Sequence, residues 1–223
     1  MNTASTSAPP RQPASAILQR NPIVAVLRAK HAGDYAAVID VLVANGVRSI
    51  ELTLSTPGTF DTLEGLRDRF GTDAEIGVGT IVTPDDASRA IDLGAAYLVA
   101  PVMQLATIDL AVANGIPVFP GGLTPTELFT GWNAGATAVK IFPAETVGAQ
   151  YGAHLRGPFP GIQFIPSGGI GLDAVASWLD AGAMAVSLGG PLIGDAFSGG
   201  SLSALADRAR LVTRIAEDAR PVR

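Results

Sequence analysis

Cysteine is absent from the chain, which excludes disulfides, cysteine nucleophiles and thiolate metal ligands. Histidine is nearly absent too. With only His31 and His154, a His-rich metal site or a Ser-His-Asp triad has almost no material. Of the 15 basic residues only Lys30 and Lys140 are lysines, and no basic run reaches five residues. Net charge is −5 and the pI is near 4.9, so neither nucleic acid nor an acidic membrane surface is expected as a partner. Aromatic residues are sparse at 6%, and charged residues make up 16%. Mean hydropathy is +0.34, yet no apolar run reaches the roughly 18 residues of a membrane span.

What is present is a 223-residue chain, 48% hydrophobic, long enough to bury a full core. Residues 1–15, MNTASTSAPPRQPAS, lack the apolar stretch of a secretory signal and read as a flexible, disordered tail on a cytoplasmic protein. From Ile23 onward, short β-rich apolar runs alternate with amphipathic helical stretches. The runs are IVAVLR (23–28), SIELTL (49–54), EIGVGT (75–80), YLVAP (97–101), PVFPG (117–121), AVKIFP (138–143), IQFIPS (162–167) and MAVSLG (184–189). Helical patterns such as 34–45, 83–94 and 172–182 lie between them, several opening on Thr-Pro and closing on Gly. Glycines 46, 71, 94, 115, 135, 161 and 182 recur at intervals of 20–26 residues, the length of one βα unit. Eight such units predict a single α/β domain over 16–223, a (β/α)8 TIM barrel preceded by a short N-terminal helix. A doubly wound open sheet is disfavoured, because no G-x-G-x-x-G follows the first strand.

Strands of such a barrel are covered on both faces, so polar residues within the apolar runs stand out. Lys140 lies between Val139 and Ile141 in the sixth run. Burying an ammonium is costly, and a desolvated amine is a nucleophile that condenses with a carbonyl. Glu51 lies between Ile50 and Leu52 in the second run, where a carboxylate can move protons. The structural alternative for both is a Lys140–Glu51 ion pair. Arg28 ends the first run and can fork onto a carboxylate, or it is a plain surface arginine. Thr80 ends the third run after Gly77 and Gly79. Ser167, Gly168 and Gly169 follow the seventh run, and Gly189 and Gly190 the eighth, where barrels often hold phosphate. Trp132 and Trp178 read as packing residues and Glu127 and Glu145 as solvated, with Glu145 following the sixth run closely enough to support the site from behind. His31 and His154 receive no role.

Five phrases in order, GVRSIELTLSTP, IGVGTIVTPDDASRAIDLGAAYLVAP, PVFPGGLTPTEL, AVKIFPAE and FIPSGGI, resemble the class I 2-keto-3-deoxy-6-phosphogluconate/4-hydroxy-2-oxoglutarate (KDPG/KHG) aldolases. The resemblance covers about Ile17 to Gly190. It implies a homotrimeric barrel that uses no metal and no cofactor, with small 2-keto acids and aldehydes as substrates. Lys140 matches the family's Schiff-base lysine and Glu51 its general acid/base. Thr80 matches a residue near the pyruvate-derived part, Pro101 and Thr124 match pocket-lining positions, and the Ser167–Gly169 and Gly189–Gly190 turns match the phosphate loops.

The chain departs from the family twice. Ser55 stands where many members carry a carboxylate-binding arginine, and Arg28 resembles an arginine of the related 2-dehydro-3-deoxy-6-phosphogalactonate aldolases. Pro191 replaces the serine that often ends the last phosphate loop, removing a hydroxyl and an N–H. The implied reaction is cleavage of a 2-keto-4-hydroxy acid to pyruvate and an aldehyde, either D-glyceraldehyde 3-phosphate or glyoxylate. Alternatives are a phosphogalactonate-type or non-phosphorylated 2-keto acid aldolase, a phosphate-binding barrel isomerase, and a trimeric scaffold or ligand-binding module without turnover.

Overall fold

The computed structural model describes residues 11–219 of the chain. Each expected apolar run supplies a strand core: β1 (Ile23–Leu27), β2 (Ser49–Thr53), β3 (Glu75–Gly79), β4 (Leu98–Val99), β5 (Val118–Phe119), β6 (Gly121–Gly122), β7 (Val139–Ile141), β8 (Phe164–Pro166) and β9 (Val186–Leu188). The fifth run is divided into β5 and β6 at Pro120, whose nitrogen has no hydrogen to give a ladder. Every pairing is parallel, and the helices between strands supply the crossovers.

The strand order is β5-β4-β3-β2-β1-β9 in one sheet and β6-β7-β8 in the other. An isolated bridge between Ser167 and Ser187 joins β8 to β9. The result is an α/β fold with a curled, TIM-barrel-like wall whose regular ladders are in two pieces. The helix-end phrase repeats for a local reason. Gly46 and Gly94, just past their helices, sit at φ 93° and 76°, a left-handed conformation that side chains resist. Thr-Pro openings cap helices as expected: Thr83 Oγ1 accepts the Asp86 N–H ahead of the helix Pro84–Asp92.

Two apolar cores result from strands covered on both faces. The larger lies between strands and helices and includes Ile50, Leu52, Val78, Ile141 and Trp178. The smaller fills the inside of the curl with Val24, Tyr97, Val99, Phe119 and Ile165, and is closed at the amino ends of the strands by Ala14 and Leu18. Leu18 belongs to the expected short helix, Ala16–Arg20, capped by Ser15.

The expected flexible tail needs a correction. Residues 1–10 lie outside the described residues, but within 11–15 Arg11 and Ala14 pack on the α/β body. The Arg11 guanidinium stacks 3.3 Å from the Trp132 ring centroid and donates to the Ala136 and Trp132 carbonyls. An arginine over an indole gains both cation–π attraction and shielding of its stem. Polar, proline-rich composition concealed these anchors.

Candidate active site

Lys140 is fixed by strand pairing on both sides, opposite Gly121 on β6 and Ile165 on β8. Its residue is 7% exposed, and its amine lies 5.2 Å from the Phe142 ring centroid. Glu51 is opposite Val26 on β1 and Gly77 on β3, and is 1% exposed. Gly79 makes room for it: a Cβ added there would stand 1.9 Å from Glu51 Oε1. Among the described residues the ion pairs join Asp40 to Arg69, Asp61 to Arg89 and Asp207 to Arg210. Lys140 and Glu51 form no ion pair, so the structural alternative for these two residues finds no support.

Both side chains face a cavity of about 450 Å³ at the carboxyl ends of the strands. Its wall also includes Arg28, Thr80, Pro101, Ser167, Gly168, Gly169, Gly189 and Gly190. Such concave, mixed-polarity spaces at the carboxyl face are where parallel α/β folds bind small molecules. Arg28 stands at the exposed rim without a hydrogen bond or ion pair among the described residues, free to meet an anion. Its charge reaches Tyr35, whose phenol burial pushes up and whose neighbours Thr56, Thr59, Thr53 and Arg28 pull back.

Thr80 is the one non-glycine with positive φ among the described residues, at 63°. A β-branched residue resists this conformation, and such strain, about 1–3 kcal/mol, concentrates at functional sites. Gly168 and Gly169 sit at φ 92° and 75°, the second leaving space filled by the Glu145 side chain.

The structure does not bring Thr124 to the cavity. Its hydroxyl accepts the Glu127 N–H while Glu127 accepts the Thr124 N–H, a capping box for the helix Pro125–Asn133. The Thr124 backbone, then its hydroxyl and the Leu123 N–H, hold the Glu127 carboxyl below its ordinary value. Ser55 also lies outside, donating to Thr53 Oγ1 in a neighbouring cleft that shares Thr80.

Sequence reasoning missed several wall residues: Val26, Phe142, Ser187 and, on the segment after β9, Ile193 and Phe197. Ser187 carried the same signal as Lys140, a polar residue inside an apolar run. Phe197 carried none, because its place depends on an edge contact with Tyr35, 6.0 Å between ring centroids. Among the described residues no three acidic or histidine side chains group as a metal site. No helix among them is long and apolar enough to cross a membrane.

A buried lysine and glutamate thus face one cavity at the carboxyl ends of the strands in a TIM-barrel-like α/β fold, the arrangement of a small-molecule site. The family model for KDPG and KHG aldolase matches residues 14–200. The 2-dehydro-3-deoxy-6-phosphogalactonate aldolase of Escherichia coli (strain K12) is 33% identical over 172 residues, covering 77% of this chain and 84% of that one. A native KDPGal structure superposes with TM-score 0.83 at 31% identity, over 89% of this chain and 95% of that one. The Legionella pneumophila KDPG aldolase, with pyruvate captured as a covalent carbinolamine, gives TM-score 0.81 at 27% identity, over 89% and 97%. The chain belongs to the KDPG and KHG aldolase family. It is an aldolase, a carbon–carbon lyase.

Proposed function

We propose that the chain cleaves a 2-keto-4-hydroxy acid reversibly to pyruvate and an aldehyde through a Schiff base on Lys140. The observation that carries this reading is the shared cavity: the buried, unpaired Lys140 amine and the Glu51 carboxylate line the same space. The amine adds to the C2 ketone, and loss of water leaves a protonated imine. That imine accepts the electron pair of the breaking C3–C4 bond. Glu51, acting through a water, takes the C4 hydroxyl proton, the aldehyde departs, and a proton returned to C3 of the enamine completes pyruvate. Hydrolysis of the imine restores Lys140. Arg28 and Thr80 hold the substrate carboxylate, which fixes the reacting face. The Ser167–Gly169 and Gly189–Gly190 turns receive the distal end, including a phosphate where the aldehyde is D-glyceraldehyde 3-phosphate.

The substrates in view are 2-dehydro-3-deoxy-6-phosphogluconate and 4-hydroxy-2-oxoglutarate, with 2-dehydro-3-deoxy-6-phosphogalactonate as the second reading. Arg28 on the cavity wall favours the second, since Ser55 lies outside. Pyruvate release from each compound, with non-phosphorylated counterparts in parallel, tests the proposal. Cleavage of at least one is expected, and cleavage of none contradicts it.

We read the two sheet pieces as one closed eightfold barrel across 16–223. Hydrogen bonds from Thr137 N–H to Val118 O (3.0 Å), Lys140 N–H to Pro120 O (2.8 Å) and Met184 N–H to Phe164 O (2.9 Å) support this. A homotrimeric, cytoplasmic enzyme is the reading carried by family resemblance, and light scattering on the purified chain tests its trimeric part.

A further inference from the structure

We propose that Ser187 is a positioning residue that couples Lys140 to Glu51 from the floor of the cavity. The proposal rests on the Schiff-base reading of those two residues and goes beyond it. Ser187 lies on β9 opposite Val24 of β1 and is bridged to Ser167 on the other side. It is 4% exposed, and its Oγ has no partner among the described residues. The same is true of Glu51 Oε2.

Both residues, together with Lys140, line the main cavity and also a void of about 10 Å³ beneath it. The rest of that void is apolar: Val24, Val99, Phe119 and Ile165. An unpartnered hydroxyl in such a place costs about 1–3 kcal/mol, so packing alone favours alanine. The three polar groups left unpaired at one level of the interior have matching chemistry. A hydroxyl donates once and accepts twice, so Ser187 can accept from the Lys140 amine while donating to Glu51 Oε2. The void has room for about one water to complete the link where side-chain reach falls short.

Coupled in this way, Ser187 aims the Lys140 lone pair at the substrate carbonyl and holds the Glu51 carboxylate in line. A proton leaving the amine is taken by Oγ as the hydroxyl proton passes to Oε2. One proton moves from amine to carboxylate, and the hydroxyl ends neutral.

The test compares the wild-type chain with Ser187→Ala and Ser187→Thr in aldol cleavage, borohydride trapping with pyruvate across pH, and thermal melting. Ser187→Ala is expected to lower kcat by about tenfold, less than the roughly 10²–10⁴-fold of a group that itself acts as acid or base on the substrate, with KM little changed. It is also expected to move the pH dependence of adduct formation and leave Tm unchanged or higher. Ser187→Thr, which keeps the hydroxyl, is expected to recover most of kcat. Wild-type kcat and an unmoved pH profile in Ser187→Ala overturn the proposal while leaving the Schiff-base reading intact. Absence of any adduct on Lys140 in the wild-type chain overturns that reading itself.

Discussion

The two ends of the curled sheet's interior use the same strands differently. At the amino ends, Ser49 of β2 donates to the Tyr97 hydroxyl at 3.1 Å, and Glu75 of β3 lies beside them. Burial pushes both Glu75 and Tyr97 up, toward their neutral forms. Hydrogen bonds from Ser15 and Ser49 offset this for Glu75, and the Glu75 charge adds to it for Tyr97. Ala14 and Leu18 close the core at that end. Two residues further along β2, on the same face, Glu51 stands against an open cavity with one oxygen unpartnered. At one end Ser49, Tyr97 and Glu75 hydrogen-bond among themselves, although Glu75 Oε1 is left without a partner, and at the other the polar groups of several strands face one cavity. The lesson is that buried polarity marks a candidate site where groups from several strands converge on one cavity, as Glu51, Lys140 and Ser187 do.

Replacing the carboxylate should break this contrast most severely. Glu51→Gln is nearly isosteric but cannot take a proton, and kcat is expected to fall by about 10²–10⁴-fold while the fold persists. Steady-state cleavage alongside circular dichroism checks both halves.

A smaller loss is expected when the carboxylate is kept but displaced. In Gly79→Ala the new methyl meets the flexible end of Glu51 at 1.9 Å, so the side chain moves and the strand need not. Activity should drop between the values for wild type and Glu51→Gln, with pyruvate trapping on Lys140 retained. A variant as active as wild type means that the position of Glu51 over Gly79 does not matter.

Thr80→Gly sharpens the same point by separating strain from function. Glycine accepts φ 63° freely, so Tm should hold or rise, whereas kcat/KM falls about tenfold, the effect of one lost hydrogen bond. A fall in Tm together with activity indicates that Thr80 is a structural residue.

The smallest effect belongs to the amino end. The folded-state value for Glu75 is raised above its usual 4.5, so its contribution to stability is fully present below pH 4.5 and is lost as pH rises through the raised value. Glu75→Gln removes that loss. Melting temperature at pH 7 should rise, with little change at pH 4 and none in kcat. Equal shifts at both pH values contradict the charge argument.

Much of this arrangement was legible in the sequence because the fold covers both faces of each strand. Apolar runs therefore marked strands, and Lys140 and Glu51 stood out inside them. The break at Pro120 was legible in principle, since proline cannot serve a ladder. Thr124 illustrates a limit: T-P-T-E is a capping-box sequence, and that local signal describes where the structure puts it better than motif resemblance does. Ser187 carried the same signal as Lys140 in a weaker form, since an uncharged serine costs far less to bury than an ammonium, and it was overlooked for that reason. The packing of Arg11 on Trp132 joins positions more than a hundred residues apart, which no local pattern reveals.

The most direct test of the account is chemical trapping. The protein is incubated with pyruvate, reduced with borohydride, and its peptides are mapped by mass spectrometry. A reduced pyruvyl adduct on Lys140, lost in Lys140→Ala, is the predicted result. An adduct on Lys30, the other lysine of the chain, or no adduct at all, contradicts it.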